Sequence, residues 1–437
     1  MAKWSSKRLK VVSQVWIRHV FLLGLLSSFS LAYPQTEVGP PSTLPALIQE
    51  ATERNPEILE AQKAYEQAQA RQNQARSPFY PEFGVEGGLE SYKTSSESLS
   101  NSFGYVFGRY NLYRGGRDRY GLLVRTKEEA FASFELLKTK TRIQREISSQ
   151  YYSLLYLQEA IQVKEEALKL NASQIQMAEK RARSGITSQV DVLEFELRDA
   201  TLKSDIYLLT QERDQAMREI RRLLNRSDDS KVTVQGELGH EHLNRNVPEL
   251  LELALKERPD LRANDKDQEV ASLAYSATLG EWLPKVDAEV TYGTLDRRNR
   301  VLDQTPSWDA LVKISIPIFS GFDSYYGRQA QAKEVARLDA RGTKIRQDVR
   351  TQVESAFARV KAIESRVDLE EKNIERAKQY YSITLSEYKR GVKNSPDLAG
   401  AAERLFDSKL RILEFRKEFY LARIGLAEAV GVEGFSP

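Results

Sequence analysis

The sequence predicts a mixed membrane α/β fold: four two-sided β-strands joined to very long helices of coiled-coil type, with the whole arrangement present twice. Three observations carry this. Segments around 85–107, 286–292 and 312–318 alternate side-chain character with period two, as strands with one apolar face do. Longer segments repeat apolar residues every seventh position, as helices that supercoil with partners do. The second half of the chain also repeats the first in register, the mark of a duplicated architecture.

The amino-terminal segment stands outside this scheme. Residues 1–32 hold Lys3, Lys7, Arg8, Lys10 and Arg18, no acid, the apolar core VFLLGLLSSFSLA, and small residues at Ser30 and Ala32. That is the pattern of a secretory signal peptide cut after Ala32. The alternative, a membrane anchor, asks for a longer apolar run. Loss of these five basic residues takes the formal charge from +3 to −2, so the basic pI says little about nucleic acid. With no cysteine in the chain, there is no disulfide, no lipidated thiol and no thiol nucleophile. His240 and His242 have HEH spacing. No further ligand cluster lies nearby, so a solvated linker is preferred to a metal site. Beyond the leader no apolar run reaches 18 residues. Hydropathy alone therefore reads as soluble, but hydropathy misses β-barrels, whose strands alternate.

The duplication is read from aligned motifs. LPALIQEATERNPEILEA at 44–61 matches VPELLELALKERPDLRAN at 247–264, and FYPEFGVE at 79–86 matches WLPKVDAE at 282–289, both at an offset of 203. The offset then becomes 206: NLYRGGRDRYG at 111–121 matches PIFSGFDSYYG at 317–327, and RARSGITSQVDVL at 181–193 matches EYKRGVKNSPDLA at 387–399. The three extra residues fall between two strands, where a loop tolerates them. This gives a first repeat over 43–227, a linker over 228–243 and a second repeat over 244–434.

Each repeat reads in one order. A short helix ends before Asn55-Pro56 or Arg258-Pro259, and a second runs to about Arg76 or Leu279. The residue before proline is biased away from helix. Two strands follow. In the second repeat Val286, Ala288, Val290 and Tyr292 alternate with polar residues, as do Val312, Ile314, Ile316 and Ile318. In the first repeat the stripe is Val85, Gly87 and Leu89, then Phe103, Tyr105 and Phe107. A length of roughly ten residues suits a tilted strand crossing a bilayer. Aromatics at the strand ends (Phe79, Tyr80, Tyr110, Tyr113, Trp282, Trp308, Phe319) fit interfacial girdles, or the corners of a soluble sheet.

A very long helix comes next. From Asp118 to Arg183 there is no proline, and such a helix would span roughly 100 Å. Ile147, Leu154, Ile161, Leu168 and Ile175 recur in sevens; Val353, Val360, Val367, Ile374, Tyr381 and Tyr388 do so in the second repeat. The return helices keep Phe195, Leu202, Leu209, Ala216 and Leu223, and Leu398, Leu405, Ile412, Phe419 and Leu426. They are shorter than their partners, so the helix at 56–76 is expected to stack end to end with the first of them. Between long and return helices stand Gly185 and Gly391. Glycine takes the left-handed conformation of a hairpin tip cheaply. Thr187 or Ser188 would cap the return helix, with Asp191 near its positive end.

These residues resemble the TolC-type family of outer-membrane efflux and secretion factors, over nearly all of 43–434. The carriers are the twin Asn-Pro and Arg-Pro helix starts, the twin strand exits with Gly115, Gly116 and Gly321, and the twin tip glycines followed six residues later by Asp191 and Asp397. The resemblance implies a homotrimer: a twelve-stranded outer-membrane β-barrel, four strands per chain, continuing into an α-helical coiled-coil tunnel across the periplasm. Physics supports part of this. Four strands cannot close on themselves, and open sheet edges do not survive in lipid.

The resemblance further implies a passive exit duct of a tripartite efflux or type I secretion system. Its partners would be a periplasmic adaptor (membrane fusion) protein, an inner-membrane transporter and outer-membrane lipid, with no nucleic acid and no cofactor. Ser184, Gly185, Ile186, Arg390, Gly391 and Val392 are the expected adaptor contact; as structure alone they close the turns. Asp191, Tyr388, Lys393 and Asp397 are the expected tunnel-entrance gate, with Tyr388 reaching Asp191 and Lys393 an acid of the adjoining chain. As structure alone the two aspartates favour helix N-termini. Two departures from the family pattern touch this site: Gly400 stands where some members carry a second acid, and Pro396 precedes Asp397. The competing readings are a periplasmic coiled-coil scaffold without a barrel, against which the alternating strands argue, and an enzyme. For the latter there is no P-loop, GxSxG, HExxH or credible triad.

Overall fold

The computed structural model describes residues 43–93, 98–186, 188–227, 232–239, 242–294 and 306–431, within one compact unit, Pro41–Pro437. The signal-peptide segment, Thr187 and His240 lie outside the described residues.

The first half comprises α1 (Leu44–Arg54), α2 (Pro56–Gln74), a 3-10 turn (Ser77–Phe79), β1 (Glu82–Lys93), β2 (Ser98–Arg114), α3 (Arg117–Arg183) and α4 (Gln189–Leu223). The second comprises α5 (Val247–Glu257), α6 (Pro259–Ala277), a 3-10 turn (Thr278–Trp282), β3 (Lys285–Thr294), β4 (Ser307–Ser315), α7 (Asp323–Lys389) and α8 (Ser395–Val430). The two halves match in order, and their helices match in length. α3 and α7 each have 67 residues, and α4 and α8 have 35 and 36.

The joints before the prolines have a mechanism. Asn55 is extended, its side-chain oxygen accepts from the Glu57 and Ile58 amides, and its Nδ2 donates to the Leu223 carbonyl at 2.8 Å. One buried side chain thus caps the start of α2 and holds the last turn of α4, so the two helices continue each other. In the second half Arg258 donates to the Ala429 carbonyl at 2.9 Å, near the end of α8. Both devices satisfy helix-terminal groups that have no partner within their own helix.

The heptad positions form the packing seams. Ile147, Leu154, Phe195, Leu223, Val353, Val360, Val367, Leu398, Phe419 and Leu426 are all fully buried. Around the middle of the long helices Ile147, Leu154 and Leu223 belong to one apolar core and Val353, Val360, Val367, Phe419 and Leu426 to another, while Phe195 and Leu398 belong to a smaller one near the hairpin tips. α3 packs on α4 and on α8, and α7 packs on α8. The order across the helical layer is therefore α4, α3, α8, α7, with α4 and α7 at its outer edges.

The linker departs from expectation. Val232, Val234, Leu238 and Leu243 are buried, and the Tyr151 hydroxyl donates to the Gln235 carbonyl at 2.7 Å. His242 Nδ1 lies 2.6 Å from Glu364, which also accepts from the Leu243 amide and pairs with Lys361 at 2.8 Å. Over its described residues the segment is packed rather than solvated, because its own apolar residues cover the middle of the long helices.

The four strands form one antiparallel sheet in the order β1-β2-β3-β4. β1 and β4 are its edges. β2 is longer than expected, at 17 residues, and β4 is shorter, ending at Ser315. Ile316 and Ile318 therefore lie past the strand, next to Pro317, which has no amide to donate.

Candidate functional site

The register assigns the paired strand residues to faces. Val85 opposes Val106, Val106 opposes Tyr292, and Tyr292 opposes Trp308; Gly108 opposes Val290, and Val290 opposes Ala310. Directly opposed residues share a face. One face therefore carries Phe83, Val85, Leu89, Val106, Val290, Tyr292, Trp308, Val312 and Ile314. Phe83, Val85 and Leu89 are 78–85% exposed, with no helix covering them. A contiguous apolar sheet face left bare in this way suits lipid.

The opposite face is charged, and it corrects the sequence reading. Phe103, Tyr105 and Phe107 lie on it, not beside Val85 and Leu89. Glu86 opposes Tyr105, and Arg109 opposes Glu289. The Tyr105 hydroxyl donates to Glu86 at 2.5 Å, Arg109 pairs with Glu289 at 3.3 Å, and its guanidinium sits 4.0 Å over Phe107. Two glycines explain the aromatics. A Cβ at Gly84 would stand 2.5 Å from the Phe107 ring, and one at Gly88 2.8 Å from Phe103. The rings lie over bare backbone and restore the packing that glycine omits. Period two alone cannot show which face of a β2 stripe matches which face of β1; only the register does.

The strand exits are left-handed turns. Gly115 and Gly116 have φ of 64° and 77°, and Gly321 has 66°. In the second half the place of Gly116 is taken by Phe322, also left-handed at 67°.

The hairpin tips end the long helices with one motif. Gly185 and Gly391 have φ of 70° and 81°. The Ile186 amide donates to the Arg181 carbonyl and the Gly185 amide to Ala182; Val392 and Gly391 repeat this with Glu387 and Tyr388. This is the paired-bond helix stop, in which the residue after the glycine commonly packs back on the last turn. Here that turn presents Arg181 and Glu387, and Ile186 and Val392 stay 64% and 69% exposed. Ser184 bonds back to the Lys180 carbonyl at 3.0 Å, and Arg390 is the last residue before the turn in the second hairpin. Ser188 caps α4, accepting from the Val190 amide. Asn394 caps α8 in a reciprocal box with Asp397. Pro396 occupies a first-turn position whose amide needs no partner.

The four expected gate residues lie near the tips, and within one chain their contacts are local. The Tyr388 ring is buried, in a cluster with Ala178, Val192, Phe195, Leu398 and Ala399. Its hydroxyl lies 3.3 Å from Ser395 Oγ, not at Asp191. Lys393 pairs at 3.9 Å with Asp397 of its own hairpin. Asp191 sits in the first turn of α4. The heptad stripe turns Tyr388 inward, so its hydroxyl is spent locally.

Two arginines that sequence reading missed connect the hairpins instead. Arg181, on α3, donates to the Tyr388 carbonyl and stacks 4.6 Å over the Tyr388 ring. Arg198, on α4, donates to the Ala399 carbonyl. Both donors belong to the first hairpin and both acceptors are main-chain oxygens of the second. No pattern of side-chain types announces such a link. Beside the apolar cluster of Tyr388 the seam also buries polar groups: Asn171 and Gln174 are buried, and burial raises the Tyr381 hydroxyl above its ordinary value.

Among the described residues no helix is long and apolar enough to cross a membrane.

Residues 47–226 and 250–432 match the family described as outer membrane efflux protein. Among solved structures, the chain is similar to the outer membrane protein VceC of Vibrio cholerae, at 17% identity and a TM-score of 0.76, covering 89% of this chain and 96% of that one. It is similar to the CmeC outer membrane channel of Campylobacter jejuni, at 13% identity and 0.77, covering 92% and 90%. It is similar to the open state of the MtrE outer membrane channel of Neisseria gonorrhoeae, at 19% and 0.76, covering 89% and 88%. No curated sequence matches the chain.

Proposed function

The chain belongs to the outer membrane efflux protein family, and on that premise we propose how its geometry serves as an exit duct. It is an outer-membrane protein that extends into the periplasm and conducts cargo passively, with no chemistry of its own. One observation carries the reading: a four-stranded sheet with two unpaired edges, one face apolar and bare, the other charged. In lipid such edges must be closed by other copies. Three copies give the twelve strands of a barrel, and their helices a continuing tunnel.

The tips are the docking end. Ile186 and Val392 expose apolar side chains beside Gly185 and Gly391, and a periplasmic adaptor would cover them while an inner-membrane transporter supplies energy and cargo. The gate lies just above, where Arg181 and Arg198 tie the first hairpin to the second. Asp191, Lys393, Asp397 and Tyr388 support the helix ends around that tie.

The test separates duct from scaffold. Outer-membrane fractions should yield an oligomer whose electrophoretic migration changes on heating. Gly185→Val and Gly391→Val should abolish export while leaving the oligomer, since the strain of positive φ stays at the tip. A protein found only in the soluble periplasm would sink the duct reading.

A further inference from the structure

The charged face of the sheet carries an aromatic column that a passive wall does not need. Phe103, Tyr105 and Phe107 stand at alternate positions of β2, with successive ring centroids 6.2 and 6.4 Å apart and the first pair stacked. Their neighbours on either side are small. The backbone of Gly84 and Gly88 in β1 lies beneath the rings, and Thr291 and Gly293 of β3 oppose Phe107 and Tyr105. Half-buried rings thus floor a shallow trough with low sides.

The trough is acidic. Glu82 and Glu289 oppose Arg109 from either side, Glu86 opposes Tyr105, and Asp309 opposes Thr291 beside Phe107. Over these three rungs four carboxylates face one guanidinium. Nearer the strand exits the sign reverses, with Arg114, Lys285 and Lys313 around Asp287, so the negative excess is confined to the level of the rings. Arg109 displays the recognition that such a trough offers. Its flat guanidinium lies 4.0 Å over the Phe107 ring, while Glu289 at 3.3 Å and Glu86 at 3.8 Å hold its charge. The face of an aromatic ring attracts a cation, and nearby carboxylates add to that attraction. Tyr105 and Phe103 repeat the aromatic floor one and two steps further from the strand exits.

We propose that this column is a cargo-binding strip for planar aromatic cations, which stack on Tyr105 and Phe103 within the negative field of Glu86 and Asp309. The inference rests on the duct reading, which turns this face inward, and adds to it a preferred class of cargo. An aliphatic cation gains the field without the stacking, and a planar anion meets repulsion, so neither matches the strip.

The test uses the purified oligomer in phosphatidylcholine nanodiscs and the fluorescent planar cation N-methylacridinium as probe, with empty nanodiscs as background. Anisotropy should report saturable binding. Tetraethylammonium should displace the probe only at far higher concentration, and naphthalene-2-sulfonate should not displace it. Phe103→Leu with Tyr105→Leu should weaken binding roughly tenfold, the worth of one moderate cation–π contact. Rings over glycines also pack the sheet, so a second variant guards against loss of fold: Asp309→Asn keeps every ring and should bind several-fold more weakly at low salt, with the difference shrinking at high salt. Size-exclusion chromatography checks that each oligomer is assembled. An assembled oligomer that leaves the probe unbound, binds it equally in all three forms, or prefers the anion would overturn the strip and leave the duct standing. A folded protein absent from the outer membrane would overturn both.

Discussion

Replacing Arg181 by alanine should open the tunnel entrance. The side chain makes a charge-assisted bond to the Tyr388 carbonyl and stacks on the Tyr388 ring. A hydrogen bond from a charged group contributes about 1.5–3 kcal/mol, and a partly buried cation–π contact about 0.5–2 kcal/mol. The loss falls toward the low end, since the Tyr388 carbonyl keeps the Gly391 amide at 3.0 Å and is not orphaned. About 2 kcal/mol per chain is therefore at stake, and roughly 6 kcal/mol for three chains if the links act independently. A shift of about 5.5 kcal/mol carries a two-state equilibrium from 1:99 to 99:1. Arg181→Ala channels in planar bilayers should thus show raised single-channel conductance, and Arg181→Lys, which keeps the charge without the flat stacking surface, a smaller rise. Oligomer yield should not change, because the apolar cores lie far above. Wild-type conductance from a normally assembled Arg181→Ala channel would refute the latch.

Three further outcomes follow from named contacts. Val290→Arg, on the bare apolar face, should lower the heat stability of the membrane-inserted oligomer by about 2–4 kcal/mol if it lies near the midplane; Lys313→Leu, on the charged face, should not, and the reverse pattern would invert the assigned facing. Asn55→Ala removes a cap and strands the Leu223 carbonyl, costing about 1–3 kcal/mol in chemical denaturation, whereas Asn55→Asp should restore the cap but not the joint; equal stability of all three proteins would deny the joint any role. Glu364 is buried, which by itself raises its pKa, but bonds from Lys361, His242 and the Leu243 amide more than offset this and hold it below the ordinary 4.5. A lowered carboxylate pKa contributes stability above the unfolded value and loses it as pH falls through the folded one. Protease cleavage at residues 242–246 should therefore rise as pH drops below about 4.5, and Glu364→Gln should cleave readily with little dependence on pH in that range.

Much of the architecture is written locally in the chain. Heptads fix which side of a 67-residue helix is buried, and Ile147, Leu154, Val353 and Val360 are buried accordingly. Asn55-Pro56 and Gly185 mark where helices stop, because proline and left-handed glycine act on their own backbone. The duplicated motifs align helices of nearly equal length in the two halves. Other features depend on what lies across from a residue, and there periodicity is silent. Phe103, Tyr105 and Phe107 alternate as an apolar stripe should, yet the register with Gly84 and Gly88 puts them on the charged face. Tyr388 has a hydroxyl suited to a cross-hairpin bond, yet packing turns it to Ser395 and leaves its main-chain oxygen to Arg181. The linker over 228–243 reads as solvated because its apolar residues are few and scattered; Val232, Val234, Leu238 and Leu243 are buried because each meets a long helix distant in sequence. Local rules determine helix, strand and turn from neighbours in the chain, while facing, capping across joints and main-chain acceptors come from neighbours in space, and only the tertiary structure supplies those.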